Sequence, residues 1–267
     1  AVDPFPAVAG GGITRLREAG LVVESGVLGE AAIRLTAPFR RLVTAGRPWV
    51  IAKWAMSLDG RIAAAGGDSR WISGEASRSV VHGLRGRMDA IMVGIGTALA
   101  DDPLLTARPS GQRIALRIVV DSMARLPTSS RLVRTAREIP LLVAVGPQAP
   151  AGRLEALQSL GCGIWRGTET DRDSRLASLL AHLGRERLTN VLVEGGSGIL
   201  GSLHDGDLID EAWAFVAPTL LGGSGAPAAI AGRGAADVAA SRRILVEETT
   251  ILGNDLLVRG LVKPAGA

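Results

Sequence analysis

The sequence predicts an α/β fold: a mostly parallel mixed sheet with helices on both faces and an antiparallel hairpin at its carboxyl end. Three observations carry this. From Trp49 onward, short apolar, β-branched runs alternate with helical stretches. Several of those runs are apolar almost throughout, as strands buried on both faces are. The last two runs are separated only by Gly253-Asn254, a tight turn with no crossover helix.

The elements follow in order. Residues 1–45 read differently from the rest: a short helix over 11–20, a short strand over 21–25, and a helical stretch over 29–41 interrupted at Pro38. This segment is too small to bury a core of its own. It reads as an appendage, with TAGRP (44–48) as a hinge to a main domain over 46–267. In that domain strands are expected at 49–57, 90–94, 116–121, 141–146, 190–195, 212–218, 244–252 and 256–262. Helices are expected at 75–87, 152–161, 173–186 and 198–206.

Composition narrows the function. Hydrophobic residues make up 47% of the 267 and charged residues 21%, which excludes a disordered chain. No apolar run approaches the ~20 residues of a membrane span. The amino terminus lacks the basic-then-apolar pattern of a secretory signal. Cys162 is the only cysteine, which excludes an internal disulfide or a cysteine-rich zinc site and points to the cytoplasm. The formal charge of +4 is spread over scattered arginines interleaved with acids, and aromatics are 3%. No nucleic-acid footprint is present.

Open α/β sheets bind ligands at the carboxyl ends of their strands. One expected strand ends at Glu194 and runs into Gly195-Gly196-Ser197-Gly198-Ile199-Leu200-Gly201-Ser202, a G-x-G-x-x-G turn opening a helix. Such a turn lets backbone amides approach a phosphate at a helix N-terminus. The plain alternative is a structural strand-to-helix turn. No acid stands at the end of the next strand, so a standard Rossmann domain is not expected. A second glycine turn begins at Gly94-Ile95-Gly96-Thr97, and two such loops suit a dinucleotide. Asp101-Asp102-Pro103 reads as a helix end and turn. Lys53 lies in a mostly apolar strand of a chain with only one other lysine, Lys263. A lysine so placed needs a partner or a task. Asp59 and Glu194, both at or past strand ends, are candidates to pair with it or to hold a ligand hydroxyl. Arg85 and Arg108 are candidates for a phosphate or carboxylate clamp. The histidines, His82, His182 and His204, lack metal spacing and read as surface or packing residues.

Longer strings carry a family resemblance. KWAMSLDGRIA (53–63), DSRWISG (68–74), GLRGRMDAIMVGIGTALADDPLLTAR (83–108), LRIVVDS (116–122), NVLVEGGSGILGSL (190–203) and FVAPTLLGG (215–223) resemble the reductase domain of the bacterial riboflavin-biosynthesis deaminase/reductase. The resemblance spans about 48–262, and it implies a dihydrofolate-reductase-like fold. It also implies a reaction: NADPH reduces 5-amino-6-(5-phosphoribosylamino)uracil at C1′ of the ribosyl group, giving the ribitylamino product. Matching positions imply that Ser69, Arg85, Leu105, Arg108 and Glu194 contact the substrate, the arginines chiefly through its phosphate. Ala55, Trp71, Thr97, Asp101, Ser122 and the 196–202 loop would contact NADPH. Lys53 matches a lysine near the reacting centre, as proton donor or electrostatic stabiliser. A homodimer is implied, and the terminal hairpin offers an edge for it.

Residues 1–40 resemble the end of the deaminase half of that bifunctional protein. A zinc deaminase needs His-x-Glu and Pro-Cys-x-x-Cys ligands. The sequence contains neither, so deamination is not expected of it. The competing readings are a reductase acting on the undeaminated diaminopyrimidine, dihydrofolate reductase itself, and an inactive scaffold.

Overall fold

A computed structural model describes residues 2–5, 7–111 and 113–263 of the protein. Its contacts divide the chain into two compact units. One comprises residues up to Trp49 together with Leu180–Thr189; the other comprises Val50–Leu179 and the residues from Asn190 onward.

The first unit holds helices α1 (Gly11–Glu18), α2 (Gly29–Leu35) and α3 (Ala37–Ala45). The expected helix over 29–41 breaks at Thr36, and Pro38 sits in the first turn of α3, where its missing N–H costs nothing. The strand expected over 21–25 does not form. Val22 is fully exposed there, and no neighbouring strand completes its hydrogen bonds. Trp49 closes this unit: its N–H donates to the Thr189 carbonyl at 2.8 Å, and Arg34 and Arg41 lie 5.8 Å from its ring centroid.

The remaining elements are β1 (Trp49–Ser57), α4 (Glu75–Arg85), β2 (Ala90–Gly94), α5 (Ile95–Asp101), β3 (Leu116–Val120), α6 (Arg131–Arg134), β4 (Leu141–Val145), α7 (Ala151–Ser159), β5 (Gly163–Arg166), α8 (Arg172–Arg185), β6 (Asn190–Val193), α9 (Ser197–Asp205), β7 (Glu211–Ala217), β8 (Ile244–Leu252) and β9 (Asp255–Val262). The strands form one nine-stranded sheet in the order β5-β4-β3-β2-β6-β1-β7-β9-β8. The pairs β2–β3, β2–β6, β3–β4, β4–β5 and β1–β7 are parallel. Only β9 breaks the direction, pairing antiparallel with both β7 and β8. Gly253-Asn254 is the turn between the last two strands, as the sequence predicts, and Gly253 adopts the left-handed conformation such a turn needs. Helix α5 ends at Asp101 with Asp102 as its C-cap, the helix end read at Asp101-Asp102-Pro103, although its full span was not among the expected helices; α6 and strand β5 were not expected. The two helices are short pieces inside stretches rich in turn signals, and β5 is a four-residue edge strand.

The core runs along the sheet centre. Ile91, Met92, Ile118, Leu192 and Phe215 are buried, each contributing about 1.5–3 kcal/mol by leaving water. Arg117 of β3 is buried among them. Its Nη2 donates to the carbonyls of Leu132, Thr135 and Ile139, so α6 and the turn after it hold the charge without a carboxylate, while Nε has no partner among the described residues. Helix α4 begins at Gly74, which has no side chain to cap it. Asp255, the first residue of β9, does so instead: its carboxylate accepts from the Gly74 amide at 2.7 Å and the Ser77 hydroxyl at 2.6 Å. Among the described residues no helix is long and apolar enough to cross a membrane.

Candidate active site

Strands β2, β3 and β6 end at one cavity, and the middle of β1 passes along it. Its volume is about 1190 Å³. Small-molecule pockets usually measure ~300–1,000 Å³, so this one lies above the upper end of that range.

One wall is built from the two glycine turns. They are hydrogen-bonded to each other, the Gly94 amide donating to the Gly195 carbonyl at 3.1 Å. Gly195 has φ +81°, a conformation that excludes most side chains. Gly196 starts α9, and a Cβ there would stand 3.2 Å from Thr97 Oγ1. No side chain caps the first turn of α9; the Ile199 and Leu200 amides donate to the Gly196 carbonyl, which leaves the earlier amides and the partial positive charge to an acceptor from outside. Gly196, Ser197, Gly198, Ile199 and Leu200 line the cavity opposite Thr97. Gly201 and Ser202 do not. They are buried within α9, and Gly201 lies against the backbone of Ala231 with no space for a Cβ.

The opposite wall carries the charges. Glu194 is bound bidentately by Arg85, with Nε to Oε1 at 2.6 Å and Nη2 to Oε2 at 2.8 Å. Burial alone would raise Glu194, but the Arg85 charge and hydrogen bonds, with Lys53 behind them, hold it below the usual carboxylate range. Arg85 also donates through Nη1 to the Thr106 carbonyl at 3.2 Å. Thr106 follows Leu105, a buried residue held at φ +54°. Arg108 lines the same wall, and among the described residues its side chain has no hydrogen bond or ion pair.

Lys53 faces the cavity from β1. Its Nζ lies 5.5 Å from the Phe215 ring centroid and, among the described residues, has no hydrogen bond or ion pair. Burial pushes its pKa down; Glu194 opposes this and Arg85 adds to it. Among the described residues, its N–H donors are free.

The other predicted residues fall around the rim. Ser69 and Ala55 line the cavity. Trp71 is exposed, its ring 4.7 Å from the Arg78 guanidinium carbon. Asp101 pairs with Arg70 at 3.6 Å. The Ser122 hydroxyl, past the end of β3, accepts from Arg175 Nη2 at 2.7 Å and keeps its own proton to donate. Asp59 stands apart from all of these. It does not line the cavity; Ser57 and the amides of Leu221 and Gly222 hold its carboxylate at a pKa of about 2. Its place in the fold is that of a loop clasp, not of a partner for Lys53.

Sequence reasoning passed over His82, which lines the cavity rather than packing or facing solvent. The signal was its spacing: it precedes Arg85 by three residues, which puts both on one helix face.

A family profile described as the RibD C-terminal domain matches residues 48–258. The chain belongs to the RibD C-terminal domain family. Among its relatives, the riboflavin biosynthesis protein RibD of Actinobacillus pleuropneumoniae is 34% identical over 256 residues, 96% of this chain and 68% of the relative. The 2,5-diamino-6-ribosylamino-4(3H)-pyrimidinone 5′-phosphate reductase of Methanothermobacter thermautotrophicus is 40% identical over 222 residues, 81% of this chain and 99% of that one. Among solved structures, Acinetobacter baumannii RibD superposes with a TM-score of 0.82 at 31% identity, covering 98% of this chain and 71% of that one. The dihydrofolate-reductase-like fold expected from the motifs is that of this RibD family.

Proposed function

We propose that this RibD-family reductase reduces 5-amino-6-(5-phosphoribosylamino)uracil to its ribitylamino product with NADPH. Its membership of the reductases of riboflavin biosynthesis rests on the family; the substrate, cofactor and residue roles are our reading. One observation carries it: Lys53, with its donors free, beside a closed Arg85–Glu194 pair, in a cavity whose other wall is the uncapped start of α9.

The glycine wall fits a dinucleotide. The Gly196–Leu200 turn would take its pyrophosphate, Thr97 and Ser122 its hydroxyls, and Ala55, Trp71 and Asp101 the remainder. When bound, NADPH supplies the hydride. The charged wall fits the substrate. Arg108 and the free edge of Arg85 take its phosphate, while Ser69, Leu105 and Glu194 hold its ribose and base. Reduction with opening of the ribose ring consumes one hydride, delivered to C1′, and one proton, which goes to the ring oxygen. Lys53 is the group that holds that proton.

The test is NADPH oxidation, followed by absorbance, with this uracil and separately with its undeaminated precursor. We expect oxidation with the uracil. No oxidation with either would overturn the reductase reading. Turnover of the precursor alone would favour the second reading, a diaminopyrimidine reductase, which the 40%-identical relative supports.

A further inference from the structure

We propose that His82 is the third member of the phosphate-binding group. Its imidazole takes up a proton when a phosphate monoester settles against Arg108 and the free edge of Arg85, and this couples substrate affinity to pH. The inference rests on the reading of the charged wall as the place of a phosphorylated substrate.

The geometry begins with the Thr106 carbonyl, which lies 3.1 Å from His82 Nδ1 and also receives Arg85 Nη1. A carbonyl only accepts, so Nδ1 carries the hydrogen, and in the neutral ring Nε2 is the site left for a further proton. Arg85 cannot hold a phosphate alone. Of its five N–H donors, those to Glu194 and Thr106 commit three, leaving one on Nη1 and one on Nη2. Among the described residues, Arg108 has its whole fork free. A phosphate monoester presents three strong acceptor oxygens, more than the two remaining Arg85 hydrogens and one arginine fork saturate. His82 lines the same cavity, one turn from Arg85, and supplies the missing donor once its ring is charged.

The charges around His82 make the switch possible. Arg85 faces it from its own helix, Arg108 from the segment after α5, and Glu194 from the end of β6. Lys53 of β1 shares Glu194 and Arg85 with it as charged neighbours. Partial burial, then Arg85 and Arg108, push the free imidazole below its ordinary value; the Thr106 carbonyl and Glu194 oppose them. The ring is thus neutral near pH 7 in the free protein. A phosphate dianion offsets the two arginines and raises it. The sign follows. A group with a higher pKa in the complex adds affinity fully below its free value, and that affinity is lost as pH rises through the bound value.

Two measurements on the full chain test this. The first is NMR titration of the His82 ring nitrogens with and without saturating inorganic phosphate. We expect the midpoint to move upward with phosphate; an unmoved midpoint counts against the proposal. The second is KM for the phosphorylated substrate as a function of pH. In the wild type KM should climb between about pH 6 and about pH 8. His82→Asn keeps an amide near Thr106 but removes the Nε2 position. It should raise KM about ten- to a hundredfold at the lower pH, the value of a charge-assisted hydrogen bond, and flatten the climb. His82→Gln, whose amide reaches the Nε2 position, should recover part of the affinity without the pH dependence. Superimposable KM profiles for wild type and His82→Asn would overturn the proposal while leaving the reductase reading intact. An upward phosphate-induced shift in a protein that oxidises no NADPH would support the proton uptake and overturn the reductase reading instead.

Discussion

In the proposed reaction, Lys53 is the residue that supplies the proton. Its ammonium has neither hydrogen-bond nor ion-pair partner among the described residues, and burial weakens its hold on the proton. A proton donor of this kind contributes roughly 10²–10⁴-fold to a rate. Lys53→Met should therefore lower the single-turnover rate of NADPH oxidation by about that factor at saturating substrate. A variant that kept most of the wild-type rate would remove Lys53 from the proton path. At this scale the sequence was partly legible. Lysine in an arginine-biased chain marked position 53, strand-end placement marked Glu194 and Asp59, and the bidentate chemistry of arginine marked Arg85. Which groups bond to which was not legible. Arg85 closes on Glu194 and so leaves Lys53 without an ion-pair partner among the described residues, because two parallel N–H···O bonds beat a more distant ammonium. Asp59 sits only two residues past Ser57, within reach of its hydroxyl and of the 221–222 amides, and those local donors took it out of the site. Spacing along a chain locates a side chain on an element; it does not say which hydrogen bond it accepts first.

At the level of elements, the charged wall depends on α4, and α4 depends on a carboxylate from the far end of the chain. Asp255 caps its first turn through Gly74 and Ser77, and the last turn carries His82 and Arg85. Asp255→Ala leaves the part-buried Gly74 amide and the buried Ser77 hydroxyl without this acceptor. The loss should be about 1–3 kcal/mol, read by chemical denaturation near pH 7, and KM for the phosphorylated substrate should rise with it. Asp255→Asn retains one acceptor and should lose less. Equal stability of Asp255→Ala and wild type would show that water replaces the cap. No local pattern announces this contact, since Gly74 and Asp255 are 181 positions apart. The glycine turn at Gly195-Gly196 was legible for the opposite reason: the left-handed Gly195 and the close approach of Gly196 to Thr97 are demands written in their own residue types. The segment 21–25 misled because β-branched residues favour a strand only where another strand or a core accepts them. Val22 has neither.

For the molecule as a whole, alternation of strand and helix revealed a parallel sheet and the Gly253-Asn254 turn its antiparallel end, but not the strand order. Order depends on which faces pack, and the central strands β2, β6 and β1 are too alike in apolar character to rank from composition. The order has a consequence. It leaves β8, nine residues long, as the outer strand beyond β9. On it Ile244, Leu245, Val246 and Ile251 are between 40% and 67% exposed. A long apolar edge strand is a template for another chain unless it is blunted by charge or proline. Glu247 and Glu248 lie in its middle, and Arg259 of β9 pairs with Glu248 at 3.3 Å from within the sheet. We propose that a second copy of the chain covers this edge, giving the homodimer that the family resemblance implies. Sedimentation velocity at micromolar concentration should then show a dimer. Replacing Leu245 and Ile251 with lysine should shift the boundary to the monomer without loss of fold, because both side chains are mostly in water in the isolated subunit. A wild-type protein that sediments as a monomer, or a double variant that stays dimeric, would place the contact elsewhere or remove it.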